Sequence, residues 1–388
     1  MRRLILGLTL IMFCGAVAAQ QSLPAQTAAV RAAEKPVAKP AAKPAPAKPK
    51  PTPPPPAREL FGAVTAPAPL AMRSIGSYAR GCLAGAVSLP INGPDWQVMR
   101  LSRNRNWGTP QLLDFLERLA SDARALDGWP GLLIGDMSQP RGGPMLTGHT
   151  SHQVGLDADI WLTPMPDHIM SSQEREDMSA VSMLKDPFTV DPNIFTLQQV
   201  KLIRRAASYP QVARIFVHPA IKKALCQLAS QVGKDTSWLG KVRPWWNHHY
   251  HFHVRLACPP GMEGCENQKE VSGDNGCGQE LTTWYTMLKK SAIEMAKPAV
   301  PGAKPWVGKP PLTMAQLPKE CGTVLTSGGF EPPIPAEAGT APAALAALAT
   351  KDAGPPIPTL TPAQLKELTG GGRADDSSMP LPDRNPLR

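Results

Sequence analysis

Apolar and polar residues alternate in two stretches of this chain, and apolar residues recur every three or four positions in several others. In His251-Phe252-His253-Val254-Arg255-Leu256, the apolar Phe252, Val254 and Leu256 alternate with His251, His253 and Arg255. This is the period of a β-strand, and it puts both imidazoles on one face. Leu156, Ala158, Ile160 and Leu162 alternate in the same way with Asp157, Asp159 and Trp161, so a second strand presents its carboxylates together. The runs Gly131 to Asp136 and Ala213 to Val217 are short and apolar, as buried strands are. Helical spacing follows Thr109-Pro110, with Thr109 as cap, Pro110 in the first turn, and Leu112, Phe115, Leu116, Leu119 and Ala123 as the stripe. Thr196 caps a second helix carrying Leu197, Val200, Ile203 and Ala207; further helices are predicted from Pro219 to about Val232 and from Thr282 to Ile293. The pattern predicts an α+β fold: a single domain with a central antiparallel sheet flanked by helices.

Proline usage sets the limits of that domain. The 45 prolines cluster towards the two ends, where few large apolar residues remain to offset chain entropy. Residues 1–19 read as a secretory signal peptide, with Arg2 and Arg3 before the apolar run Leu4 to Phe13 and small residues near Ala16 to Ala19. Cys14 could accept a bacterial lipid anchor, but Phe13 is bulky where such sites take a small residue. Residues 20–59 read as a Pro/Ala/Lys-rich disordered tether and residues 331–388 as a disordered tail, with a short helix near Pro362 to Leu368. The folded domain is expected over 60–330. No segment after the signal is long and apolar enough to span a membrane. The formal charge of +10 is carried partly by tether lysines; it favours anionic wall polymer or headgroups over nucleic acid, or is simply a solvated basic surface.

An exported chain forms disulfides. With the signal removed, Cys82, Cys226, Cys258, Cys265, Cys277 and Cys321 remain, an even number whose pairing the spacing leaves open. The chemistry concentrates elsewhere: six of the eight histidines fall in His149 to His152 and His248 to His253. His152 from a loop, Asp159 from one strand and His253 from another can converge as three N/O ligands with an open fourth position, the arrangement of a catalytic zinc. His149 is a further candidate ligand. His251, two residues from His253, is placed as general base, with His248 stabilising a developing oxyanion or delivering a proton. Asp157 fits as a partner of a ligating imidazole, and Arg141, in a glycine-rich loop, could meet a substrate carboxylate. His168, His218 and His249 read as structural, and Trp245 and Trp246 as core packing.

Ser151-His152-Gln153-Val154-Gly155-Leu156-Asp157-Ala158-Asp159, Val242-Arg243-Pro244-Trp245-Trp246-Asn247-His248 and the stretch His251 to Leu256 resemble the penicillin-insensitive murein endopeptidases. Those are grouped with lysostaphin, the D-Ala-D-Ala carboxypeptidases and the hedgehog domain. The resemblance runs from about Ser74 to Cys321. It implies Zn2+ on His152, Asp159 and His253, with His251 and His248 in the active site, and disulfides joining Cys82 to Cys321, Cys226 to Cys277 and Cys258 to Cys265. Some relatives hold a second metal on residues matching His149 and Asp186 and a histidine three positions later; here that position is Thr189. The implied activity is periplasmic hydrolysis of the D-alanyl-diaminopimelate cross-links of peptidoglycan. Its rivals are a D-Ala carboxypeptidase acting on uncrosslinked stems and a non-catalytic, zinc-containing wall-binding module.

Overall fold

The computed structural model describes residues 54–270, 273–297, 310–330 and 354–370. Residues 1–53, with the expected signal peptide and nearly all of the expected tether, lie outside the described residues. Ordered structure begins earlier than the composition suggests, in α1 (Ala57–Gly62), because Ala57, Leu60 and Phe61 are all buried.

A small sheet follows. β1 (Arg73–Ser77) pairs antiparallel with β2 (Arg80–Ala84). The two-stranded ribbon of β3 (Val87–Ser88) and β5 (Trp107–Gly108) brackets β4 (Trp96–Val98). The helix α2 (Pro110–Asp127) starts as predicted, with the Thr109 side chain accepting from the Leu112 backbone, and ends at left-handed Gly128. Next come β6 (Leu132–Ile134), β7 (Asp157–Trp161), α3 (Ser172–Asp177) and a hairpin of β8 (Leu184–Asp186) and β9 (Thr189–Val190). The chain continues through α4 (Leu197–Ser208), β10 (Val212–Val217), α5 (Pro219–Leu228), β11 (Val242–Pro244) and β12 (His251–Leu256). Then β13 (Cys265–Glu266) pairs parallel with β1, and α6 (Gln279–Ala296), α7 (Glu320–Thr326) and α8 (Pro362–Gly370) complete the described chain.

The main sheet has the order β11-β10-β12-β7-β6-β4. Its centre is antiparallel as expected, while each edge adds one parallel strand, β11 on β10 and β4 on β6. One face packs on α2, α4 and α5. Leu112, Leu116, Leu119, Val200, Ile203, Ile221, Leu225, Ala158, Ile160, Phe252 and Val254 share that core. The face carrying the histidines points the other way. Leu197, expected on the α4 stripe, is exposed instead, at the first residue of the helix.

Disulfides join Cys82 to Cys321, Cys226 to Cys277 and Cys258 to Cys265. The first ties α7 to β2 inside a second small core of Leu60, Phe61, Ile75, Ala84, Val324 and Leu325. Arg141 belongs to this same structure. Its buried guanidinium donates to the carbonyls of Ala66, Val324, Leu325 and Ser327, so it clamps the end of α7 and does not meet a substrate carboxylate. A charged donor closing several buried acceptors leaves them unsatisfied when removed, so Arg141→Met should lower stability by about 3 kcal/mol in urea denaturation.

Part of the tail expected to be disordered is ordered. Residues 354–370 are described: Ile357 packs on the main core and α8 lies against α6. Residues 331–353 and 371–388 lie outside the described residues. Among the described residues, no helix is long and apolar enough to cross a membrane.

Candidate metal centre

Register explains how the site forms. β12 pairs antiparallel with β7, with His253 opposite Asp159, His251 opposite Trp161 and Arg255 opposite Asp157. Residues directly opposite across such a pair share a face, so the alternation in each strand delivers imidazoles and carboxylates to one surface. Phe216 of β10, opposite His253, adds an aromatic wall 5.2 Å from that imidazole between ring centroids.

His152 reaches the sheet from the loop before β7. Its φ is +67°, a left-handed conformation that a non-glycine residue adopts only when its surroundings enforce it. Two neighbours enforce it. The His152 backbone N–H donates to Asp157 Oδ2 at 3.0 Å, and the Gln153 side chain binds Gly81, Ala79 and Thr150 of the surrounding backbone. Asn247 and His248, at φ +60° and +49°, are left-handed as well. There the His218 N–H holds the His248 carbonyl at 2.9 Å.

Asp159 sits among four imidazoles. Its Oδ1 lies 3.4 Å from His152 Nε2 and 3.4 Å from His253 Nδ1. Its Oδ2 lies 3.4 Å from His251 Nε2 and 3.6 Å from His149 Nε2. Asp159 Oδ1, both nitrogens of His152 and His251 Nδ1 are buried without a hydrogen-bond partner among the described residues. Buried polar atoms are nearly always satisfied, so an orphaned carboxylate oxygen and orphaned imidazole nitrogens gathered in one place form a group that could hold a cation. Ligand atoms of His149, His152 and Asp159 lie within 4.8 Å of one another. Imidazole and carboxylate donors in this number suit zinc.

The surrounding groups fix tautomers. Asp157 Oδ1 accepts from His253 Nε2 at 2.9 Å and from Arg255 Nε at 2.7 Å. A carboxylate can only accept, so His253 carries its proton on Nε2 and turns the Nδ1 lone pair towards Asp159. Asp157 thus orients the His253 imidazole. Burial works against its ionisation, but Arg255 and His253 hold its carboxyl far below the usual carboxylate range.

Burial is also the largest influence on the histidines. It pushes His253 down to about 4 despite Asp157, and lowers His251 although Asp159 opposes it. Burial, with His251 and His253 nearby, holds His248 well below the usual imidazole value. For His152, Asp159 and Asp157 outweigh the burial, and its pKa rises.

Asp136 carried no signal in the sequence, yet it anchors one side of the site. Its buried Oδ2 accepts from Arg103 at 3.0 Å, from Arg105 at 2.8 Å and from His149 Nε2 at 2.9 Å. It sits in an irregular loop after β6, where no periodicity points to it. Trp245 was expected in the core but is half exposed, its ring 5.8 Å from Phe216. Asp186 does not join the cluster: its carboxylate accepts from the Phe188 N–H and the Thr189 hydroxyl in the β8–β9 turn.

His249 and His218 are buried and pushed down to about 3, in each case first by burial. His218 caps α5, its Nδ1 accepting from the Ala220 N–H at 3.2 Å. Because its folded pKa lies below its unfolded value, the unfolded chain binds the extra proton. Stability should then fall by about 1.4 kcal/mol per pH unit as pH drops from about 6.5 towards 3. His218→Asn, which keeps an acceptor at the cap, should reduce the slope of denaturation curves recorded across this range by that one contribution, leaving the part that His249 and the other lowered histidines supply.

Buried imidazoles ringing a carboxylate on one face of a sheet form a donor group that could hold a metal ion. The profile of the penicillin-insensitive murein endopeptidases matches residues 74–326, and the chain belongs to that peptidase family. A penicillin-insensitive murein endopeptidase of Haemophilus influenzae is 44% identical over 235 residues, 60% of this chain and 80% of the relative. One from Klebsiella pneumoniae is 40% identical over 262 residues, covering 68% and 89%, and one from Pectobacterium atrosepticum 40% over 234 residues, covering 60% and 82%.

Proposed function

We propose that the chain is a periplasmic zinc metallo-endopeptidase that hydrolyses the D-alanyl-diaminopimelate cross-links of peptidoglycan, with residues 1–19 as its export signal. The observation that carries this reading is the set of unpartnered lone pairs of His152 and Asp159 facing His253 Nδ1. His152, Asp159 and His253 would hold the ion, with His149 at its edge. Bound there, zinc supplies a Lewis acid that polarises the scissile carbonyl and brings water towards ionisation near neutral pH.

The protein's own groups do the rest. His251, kept neutral by burial, has an unpartnered Nδ1 and a second nitrogen on Asp159 Oδ2, so it can take a proton and be stabilised as imidazolium by that carboxylate. His248 Nδ1 lies 2.6 Å from the Trp246 carbonyl, which can only accept. Neutral His248 therefore has its proton on Nδ1 and a lone pair on Nε2. It begins as a proton acceptor and becomes a donor to the developing oxyanion or leaving amine only once protonated. Of the two roles considered for it, proton delivery suits this tautomer better.

A non-catalytic zinc site would use a fourth protein ligand and would not need a neutral base beside it. Treating purified sacculi with the zinc-loaded protein, and then cutting the glycan with a muramidase, should convert the cross-linked dimeric muropeptides to monomers. Chelator during the first step should prevent that loss of dimers and added zinc restore it; loss of dimers that persists in chelator would overturn the reading.

A further inference from the structure

Residues 354–370 lie outside the family match, which ends at 326, yet they are built against the rim of the histidine cluster. Gly354 approaches so closely that a side-chain carbon added there would collide with Cε1 and Cζ of the Tyr250 ring. Tyr250 in turn packs on His251, with ring centroids 4.4 Å apart. From Gly354 the chain passes through a bend at Pro355 and on through Pro356 and Pro358 without regular secondary structure, with Ile357 half-buried on the main core. Thr361 and Gln364 then close a capping box, the Thr361 N–H donating to Gln364 Oε1 at 2.9 Å and the Gln364 N–H to Thr361 Oγ1 at 3.3 Å. Pro362 opens α8. Leu365 and Leu368 of this helix are half-buried, while Lys366 and Glu367 are exposed.

The helix lies against α6, and α6 supports the other end of the same histidine loop. Its Trp284 ring is 5.7 Å from Trp245 and 5.3 Å from Trp246. The segment thus touches the loop's Tyr250 end directly and reaches its tryptophan end through α6. Three prolines make it stiff, so little entropy is lost when it docks.

We infer that residues 354–370 are a strap on the surface formed by Tyr250 and α6, which narrows the approach to the catalytic histidines and restrains action on bulky cross-linked polymer. This rests on the endopeptidase reading above. A soluble cross-linked dimer can enter beside the strap, whereas a stem held between glycan strands needs the rim clear.

The test compares the full chain, a chain ending at residue 353 and the full-length Gly354→Val variant, all zinc-loaded, on intact sacculi and on a soluble dimeric muropeptide. Gly354→Val crowds the tip of the Tyr250 ring and loosens this end of the strap without removing it, which guards against misfolding of the truncated form. Both changes should raise the rate on sacculi about five-fold, the ratio expected when a closed state predominates modestly, and alter the rate on the dimer by less than about two-fold. Equal effects on both substrates, or none, would overturn the inference. Amide hydrogen exchange separates the two readings. Protection over 360–369 in the full chain supports the strap even if no variant cleaves muropeptide, a result that would sink the endopeptidase reading alone. Exchange at the free-peptide rate in the full chain would overturn the strap.

Discussion

Asp159→Asn is expected to lose stoichiometric zinc and to slow cleavage of dimeric muropeptide by about 10³-fold or more, since a ligand rather than an outer partner is removed. The substitution keeps the shape and removes the charge. In the folded protein Asp159 Oδ1 faces His152 and His253, and Oδ2 faces His251 and His149. A neutral amide would place an NH2 group on one of those sides, where lone pairs now converge. Zinc affinity, read by competition with a chromogenic chelator, and circular dichroism together separate loss of the site from loss of the fold. A variant that keeps zinc at wild-type affinity would remove Asp159 from the ligand set.

His251→Ala should behave differently. Zinc should stay bound, KM should change little, and kcat should fall by about 10²–10⁴-fold, the usual size of a general-base contribution. The pH profile provides the sign. Burial holds His251 below the ordinary imidazole pKa, so the base is neutral at pH 7 and kcat/KM should fall only on the acid side, as the imidazole takes up its proton. The variant should lack that acid limb. Because His251 Nε2 is as close to Asp159 as two of the ligands are, loss of zinc in this variant would show that His251 binds the ion and that the base lies elsewhere.

The parts of this site that could be read from the sequence are those set by period. Two-residue alternation in His251 to Leu256 and in Leu156 to Leu162 assigned a polar face to each strand. The register of His253 on Asp159 then brought those faces together. His152 was legible because it lies in the short loop feeding one of these strands. The resemblance, rather than the spacing, gave the disulfide pairs.

Side chains whose role depends on long-range packing left no such trace. Arg141 looked available because it stands among glycines, but α7, far along the chain, supplies the carbonyls that bury it. Asp136 matters through Arg103, Arg105 and His149, contacts made by separate loops. Trp245 sits in an apolar context that suggested core, whereas the left-handed turn at Asn247 and His248 leaves its ring at the surface. The edge strands β4 and β11 are too short for a period to show, which hid the parallel edges of the sheet. In the tail, proline content masked a segment that packs through Ile357.

Mass spectrometry of a purified, D-alanyl-diaminopimelate cross-linked muropeptide dimer incubated with the zinc-loaded protein tests the central claim most directly. The account predicts two monomers whose summed mass exceeds that of the dimer by one water, no product with chelator, and recovery on adding zinc. An intact dimer, or loss of a terminal D-alanine from uncrosslinked stems with the cross-link preserved, would contradict it.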